Sequence, residues 1–137
     1  MKALVDTNVL IDVLAERHPF YRDSAAIWNL AEQGRLIAFV SVISFNNIHY
    51  VIRRLRNRKT AAKTMVLLRD TFTPIALNEQ ILNQAIDAGF KDFEDAIQYF
   101  SALHARVDCV VSRNTGDFPK SDISILTPQE FLAMHTL

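Results

Sequence analysis

Short runs of β-type residues alternate with helical patterns along the chain, and this alternation constrains the fold more than any other feature. Such an order is typical of an α/β domain in which helices cover both faces of a mostly parallel sheet. Pro74 places the third run at a sheet edge. We therefore predict one domain over residues 1–137, with a sheet of about five strands at Lys2–Val5, Leu36–Val40, Phe72–Leu77, Cys109–Ser112 and Ile123–Leu126.

The segments between these runs carry apolar residues at helical spacing. Asn78 and Gly89 are suited to cap the two ends of the fifth helix. In an open parallel sheet the carboxyl ends of the strands share one edge, where ligands bind. The helices are predicted at Asn8–Glu16, Tyr21–Gln33, Ser44–Arg56, Thr60–Asp70, Glu79–Ala88, Asp92–Ala105 and Thr127–His135.

The edge rule predicts that several scattered polar residues form one site. Asp6 follows the first strand, the segment 44–47 follows the second, and the segment 112–117 follows the fourth. Asp92 and Asp95 approach the same edge from the start of their helix. Carboxylates that converge without cations repel one another, and a hard divalent cation such as Mg²⁺ relieves that repulsion. Such an ion can acidify a water and stabilise charge on a phosphodiester, so the pattern favours metal-dependent phosphodiester hydrolysis.

Composition excludes several other kinds of site. The three glycines are too far apart for a Walker loop or a dinucleotide-binding turn, and the single cysteine excludes a thiolate zinc site and an intramolecular disulfide. The four histidines never form HExxH. Asp6 interrupts the apolar start, and the longest uncharged run, 36–52, is too short and polar to span a membrane. We expect a soluble, cytoplasmic protein with no membrane contact.

The net charge of zero conceals an asymmetry. Residues 1–69 hold eleven basic and five acidic side chains, whereas residues 70–137 hold four basic and ten acidic ones. Seven of the fifteen cations lie between Arg53 and Arg69. This basic stretch is either a solvated helix face or a surface for the phosphates of a nucleic acid. The candidate RNA-contacting residues are Arg53, Arg54, Arg56, Arg58 and Lys59.

Each acidic candidate also has a structural interpretation. Asp6 is placed to cap the following helix, and Asp92 occupies the N-cap position of its own helix. An unpaired carboxylate on the shoulder of an apolar stripe is costly, so we interpret Asp95 as a ligand and Asp92 as a cap. Asn114 and Asp117 suit an ordinary turn around Gly116. We expect Glu94 and Asp12 to face solvent, although Asp12 lies close enough to border the cleft.

Three blocks of the sequence resemble a known family. Val5–Leu10 (VDTNVL), Phe93–Ala96 (FEDA) and Val111–Phe118 (VSRNTGDF) are similar, in order and spacing, to the signature blocks of PIN domains. With the terminal segment 127–132, the likeness extends over essentially the whole chain. PIN domains are small α/β nucleases that include the VapC-like toxins of bacterial toxin–antitoxin pairs.

The resemblance implies an acidic Mg²⁺ or Mn²⁺ site, cleavage of single-stranded RNA and frequent dimers. Asp6 and Asp95 correspond to metal-coordinating acids, and the residues supporting them would be Thr7, Asn8 and Ser112. Two acids found in many members are replaced here by amides. One falls at Asn46 or, by our preference, Asn47, and the other at Asn114, where Asp117 is the candidate compensating acid.

Two hypotheses of different classes follow. The first is a metal-dependent ribonuclease that acts as the toxin of a type II pair, forms a homodimer and is inhibited by a small antitoxin. The second is a catalytically weak or inactive PIN-like module that binds RNA or protein, because two acids are missing. A receiver domain is disfavoured because Phe72–Leu77 contains no Asp, and a haloacid-dehalogenase-type phosphatase because Asn8 stands where that class needs a second Asp.

Overall fold

Five strands form one parallel sheet in the computed structural model, which describes residues 1–121 and 123–135. In chain order they are β1 (Lys2–Val5), β2 (Ile37–Ser41), β3 (Thr73–Ile75), β4 (Cys109–Val111) and β5 (Ser124–Leu126). Their spatial order is β3-β2-β1-β4-β5. Every pairing is parallel, with Ala3 of β1 opposite Ala38 of β2 and Cys109 of β4. The prediction of an α/β fold with a five-stranded parallel sheet is therefore confirmed.

In the part of the chain that the structure describes, seven α-helices connect and flank these strands. Asn78 and Asp92 cap α5 and α6 through their side chains, and Gly89 adopts a left-handed conformation with φ of 67° after α5. These three caps were predicted from residue type and position. The helices are α1 (Thr7–Leu14), α2 (Tyr21–Glu32), α3 (Val42–Leu55), α4 (Arg58–Thr71), α5 (Glu79–Ala88), α6 (Phe93–Ala105) and α7 (Pro128–His135).

The observed elements differ from the predicted ones mainly at their ends. Helix α3 begins at Val42 rather than Ser44, because Ser41 ends β2 and accepts a hydrogen bond from the Ile43 amide. Helix α4 begins at Arg58, capped by Asn57, which accepts a hydrogen bond from the Thr60 amide. Strand β3 is shorter than predicted and, as Pro74 indicated, lies at the sheet edge.

The pleat of β1 divides the core into two layers. Ala3 and Val5 belong to one cluster, together with Trp28 of α2 and Phe131 of α7, whereas Leu4 belongs to a second cluster that contains Tyr99 of α6. Successive side chains of a strand point to opposite faces, so both faces of the sheet are covered. Within residues 1–121 and 123–135, no helix is sufficiently long and apolar to cross a membrane.

Candidate active site

A polar cleft of about 450 Å³ lies where β1 and β2 lead into α1 and α3, beside the start of α6 and the segment after β4. This is the sheet edge at which the candidate residues were predicted to meet. The five candidate catalytic residues suggested by the sequence, Asp6, Asn47, Asp95, Asn114 and Asp117, line the cleft together with Thr7, Asn8 and Asp92. The lining residues are Asp6, Thr7, Asn8, Ile11, Asn47, Tyr50, Val51, Asp92, Glu94, Asp95, Asn114 and Asp117.

Asp6 is held by two neutral donors from different parts of the fold. Its side chain is only 2% exposed. The Ser112 hydroxyl donates to Oδ2 at 2.7 Å, and the Gln98 amide donates to Oδ1 at 2.9 Å. Asp6 occupies the N-cap position of α1, yet its carboxylate makes no capping hydrogen bond. The interpretation of Asp6 as a helix cap is therefore wrong, and its carboxylate belongs to the cleft.

Glu94 is a cleft residue that we expected to face solvent, and that expectation is wrong. The Thr7 hydroxyl donates to its Oε2 at 2.7 Å, and the Asn47 amide donates to its Oε1. The Thr7 and Ser44 hydroxyl oxygens are 2.6 Å apart. The Thr7 hydroxyl has one proton, which it donates to Glu94. The Ser44 hydroxyl therefore donates to the Thr7 oxygen. Glu94 is thereby tied to both α1 and α3.

Asp92 and Asp95 have the separate positions that the sequence indicated. Asp92 Oδ1 accepts a hydrogen bond from the Asp95 amide at 3.1 Å, so the prediction of an N-cap at Asp92 is confirmed. Asp95, only 9% exposed, lies in the first turn of α6 and lines the cleft. Asp92 therefore caps α6 at the border of the cleft, and the cleft residue Asp95 follows three residues later.

The electrostatics of the cleft are those of buried charges with like-charged neighbours. Burial, followed by the charges of Asp6, Asp92, Asp117 and Glu94, raises the pKa of Asp95 to about 7. Burial is also the main cause that raises the pKa of Glu94, although hydrogen bonds from Thr7 and Asn47 oppose it. None of the described lining residues is Lys or Arg. The cleft therefore favours protons or an external cation.

The segment after β4 forms the remaining wall. Ser112 is buried, and its side-chain oxygen accepts a hydrogen bond from the backbone amide of Asn114 at 3.1 Å. Residues Thr115–Asp117 form a single 3₁₀ turn in which the Asp117 amide bonds to the Asn114 carbonyl at 3.1 Å. Asn114 and Asp117 are thus turn residues that also line the cleft, from exposed positions.

Asp12 was expected to face solvent, and this too is wrong. It is fully buried on α1 and forms an ion pair with Arg113, whose Nε lies 2.7 Å from Oδ2. The Arg113 Nη2 also donates to Oδ1 at 3.3 Å, and the guanidinium carbon lies 4.0 Å from the centre of the Phe20 ring. Asp12 does not face solvent because the segment after β4 places Arg113 against it.

The basic stretch lies outside the cleft but next to it. Tyr50 lines the cleft from α3, and Arg54, one turn further on, donates from Nη1 to its hydroxyl at 2.9 Å. The five predicted RNA-contacting residues are all solvent-exposed and lie at the end of α3 and the start of α4: Arg53, Arg54, Arg56, Arg58 and Lys59.

Two residues important to the geometry were missed in the sequence. Glu94 was misjudged because it lies off the apolar stripe of α6. Gln98 is fully buried and donates to both Asp6 and Glu94, the latter at 3.3 Å. The sequence pattern could have identified Gln98, because it is a polar residue one helical turn after Glu94, within a stripe of buried residues.

The donor set suits a hard divalent cation, since it consists of carboxylate and amide oxygens, with no Lys or Arg among the described lining residues. In residues 1–121 and 123–135, however, no three His, Cys, Asp or Glu side chains are grouped so as to hold an ion. The carboxylates share the cleft without surrounding a common point, and neutral donors hold two of them. The residues present fit such an ion by chemistry, and binding requires them to draw together.

Comparison with known proteins agrees with this fold. A family model described as PIN domain matches residues 2–116. The ribonuclease VapC1 of Aquifex aeolicus (strain VF5) is 26% identical over 135 residues, which are 95% of this chain and 92% of that protein.

Solved structures of other bacterial proteins have a similar fold. A toxin–antitoxin complex from Klebsiella pneumoniae aligns with a TM-score of 0.69 and 22% identity over 92% of this chain and 97% of the other. VapBC-1 from nontypeable Haemophilus influenzae aligns with a TM-score of 0.70 and 16% identity over 94% and 99%. With the family model covering most of its length, the chain belongs to the PIN-domain family.

Proposed function

We propose that this protein is a metal-dependent endoribonuclease that hydrolyses phosphodiester bonds of single-stranded RNA. The observation that carries the proposal is the cleft of carboxylates that lacks any described Lys or Arg in its lining. Such a cleft repels a phosphate backbone unless a cation is bound between them. The likeness to a ribonuclease over 95% of the chain supports the same activity.

Asp6, Glu94 and Asp95 are the residues we propose to hold the ion, Mg²⁺ or Mn²⁺, and Asp117 completes the site from its exposed wall. Glu94 joins the acids that the sequence suggested, because its carboxylate shares Gln98 with Asp6. Asn47 holds Glu94 rather than supplying a charge of its own. Glu94 of α6 would then supply the charge that Asn47 of α3 lacks.

The protein's own groups prepare the site for hydrolysis. When bound, a divalent cation supplies an acidified water and neutralises charge on the phosphate. Ser112 and Gln98 fix Asp6, while Thr7 and Asn47 fix Glu94. Asp95, with its pKa of about 7, can accept a proton near neutral pH when no ion is present. Asn114 offers an amide at the wall where the RNA would enter.

The RNA strand is proposed to leave the cleft along α3. Asn47, Tyr50 and Arg54 are spaced three and four residues apart, so they lie along one side of the helix. Tyr50 is 59% exposed, and the Arg54 guanidinium lies 5.6 Å from its ring centre. Aromatic rings stack on unpaired bases, and arginines bind phosphates. The cations at 53, 54, 56, 58 and 59 would then hold the phosphates beyond the cleft.

Cleavage of a labelled single-stranded RNA with and without Mn²⁺ tests this function. The wild-type protein should cleave only when the metal is present, and Asp6→Ala, Glu94→Gln and Asp95→Ala should each lose the activity. Equal cleavage by the wild type and the three variants would indicate a contaminating nuclease. RNA binding by the wild type without cleavage at any metal concentration would favour the inactive binding module instead.

We further propose that the protein is the toxin of a type II toxin–antitoxin pair that acts on RNA in the cytoplasm. The structures it resembles include complexes of toxins with antitoxins, which supports a small antitoxin partner. A homodimer is proposed on the family resemblance. Light scattering at several concentrations would test self-association, and expression with and without the product of the adjacent gene would test the toxin role through growth arrest and its relief.

A further inference from the structure

Gln98 occupies an unusual place for a glutamine, fully buried in the wall of α6 that faces the acidic cleft. Its Nε2 donates to Asp6 Oδ1 at 2.9 Å and to Glu94 Oε2 at 3.3 Å. One nitrogen therefore links a carboxylate at the end of β1 to a carboxylate on α6. Both of its protons are used on site residues that are 88 positions apart in the chain.

The orientation of the Gln98 amide follows from charge. With the amide turned over, its oxygen would face two carboxylates, and neither contact could be a hydrogen bond. In the observed orientation Oε1 is buried without a partner among the described residues. A glutamine selected for stability would satisfy its oxygen as well. Gln98 satisfies the carboxylates and leaves its own acceptor unpaired.

A neutral donor here does what a cation cannot do. A lysine or arginine between Asp6 and Glu94 would hold them together, but it would also cancel the negative charge that attracts a metal ion. An amide brings the two oxygens close and leaves both formal charges in place. Hydrogen bonds to ligating carboxylates commonly set their orientation and their affinity for metal.

We propose that Gln98 is a positioning residue that holds Asp6 and Glu94 together for a divalent cation without contributing charge. The proposal rests on the metal-dependent function proposed above. It assigns Gln98 no contact with substrate, since the side chain is fully buried behind the two carboxylates. Its effect passes through the geometry of Asp6 and Glu94.

Direct titration with Mn²⁺ followed by calorimetry tests the proposal without any measurement of RNA cleavage. Gln98→Met keeps the approximate length and volume of the side chain but removes both donors. We expect it to weaken Mn²⁺ binding about 10- to 100-fold, the range typical for loss of a group that orients a metal ligand. Ser101→Ala is the matched control, because Ser101 is also fully buried on α6 and its hydroxyl has no described partner.

Mn²⁺ affinity within twofold of wild type in Gln98→Met, or an equal loss in Ser101→Ala, would overturn the proposal. If Gln98→Met does not fold, Gln98→Asn retains the amide one carbon short of the carboxylates and should weaken Mn²⁺ binding severalfold; unchanged affinity would again contradict us. A wild type that binds Mn²⁺ but leaves RNA intact would refute the nuclease function and leave the role of Gln98 standing. A wild type that binds no Mn²⁺ would refute both.

Discussion

Buried or half-buried carboxylates occur at two neighbouring places in this protein, and the groups that contact them differ in charge. Asp12 on α1 is paired with Arg113 through two contacts, and the guanidinium is further covered by Phe20. Asp6 and Glu94, in the cleft, receive hydrogen bonds from Ser112, Thr7, Asn47 and Gln98, all of which are neutral.

The difference separates a structural charge from a functional one. Burial raises the pKa of Asp12, but the charges of Arg113 and Arg17 oppose the rise. For Asp95, burial and the four neighbouring carboxylates all act in the same direction. Burying charge is costly unless it is compensated. Asp12 is compensated by Arg113, whereas no described residue that lines the cleft is Lys or Arg, and we propose that a cation from solution compensates the cleft carboxylates.

Removal of one cleft charge should have the largest effect on activity. Asp95→Asn should lower the rate of RNA cleavage about 1,000-fold or more, because a bound metal contributes several kcal/mol to stabilising the transition state. Single-turnover assays at saturating Mn²⁺ would measure the loss. Asp87→Asn, which neutralises an exposed acid of α5, is the control and should cleave at the wild-type rate. A loss below tenfold in Asp95→Asn would contradict its proposed role.

Removal of the Arg113 side chain, which pairs with Asp12, should instead lower the stability of the fold. Arg113→Met leaves Asp12 buried and unpaired, and we expect the free energy of unfolding to fall by about 3 kcal/mol. Adding Asp12→Asn to that variant should restore much of the loss, since no uncompensated charge then remains. Urea unfolding of the single and double variants measures both effects. A loss below about 1 kcal/mol in Arg113→Met would show that the pair is not a compensated charge.

The third-largest effect is expected in the pH dependence of stability, which should distinguish Asp95 in the cleft from Asp12 beside Arg113. The pKa of Asp95 in the folded state is about 7, above the ordinary aspartate value of 3.8, so the folded state holds the proton more tightly. The resulting stabilisation is present at low pH and is lost as pH rises towards 7. With a chelator present, the wild type should unfold at a higher urea concentration at pH 5 than at pH 8. The Asp95→Asn substitution should reduce that difference. An unchanged difference in Asp95→Asn would contradict this assignment.

The smallest effect is expected at the boundary between the cleft and the basic stretch. Tyr50→Leu, measured with Mn²⁺ on a non-cleavable analogue of a short single-stranded RNA, should weaken binding about 5- to 10-fold, at the lower end of the contribution of one base stacked on an aromatic ring. Tyr50→Phe should bind like wild type, because it keeps the ring. Equal binding by the leucine and phenylalanine variants would exclude stacking on Tyr50.

The sheet and the location of the site were predictable because they depend on local pattern and on one rule of topology. Alternating strands and helices indicated a parallel sheet, and the ends of its strands brought Asp6, Asn47 and Ser112 to one edge. Asp92 could be identified as a cap because an N-cap depends only on residues within one turn. These predictions needed no knowledge of how the helices pack.

The remaining features depend on packing, which a single helix pattern does not contain. Glu94 lies off the apolar stripe of α6, yet Thr7 and Asn47 from two other helices cover it. Asp12 is enclosed for a similar reason, with Arg113 supplied from a distance of 101 residues. Conversely, Phe93 is an apolar residue of α6 but is exposed at the start of that helix. Burial at a helix end is decided by its neighbours.

Thermal unfolding at pH 8 with and without Mn²⁺, on wild type and Asp95→Asn, tests the central claim most directly. If the cleft carboxylates bind a divalent cation, Mn²⁺ should raise the melting temperature of the wild type in a concentration-dependent manner. It should have little effect on Asp95→Asn. Equal shifts in both proteins, or no shift in the wild type at millimolar Mn²⁺, would contradict the account.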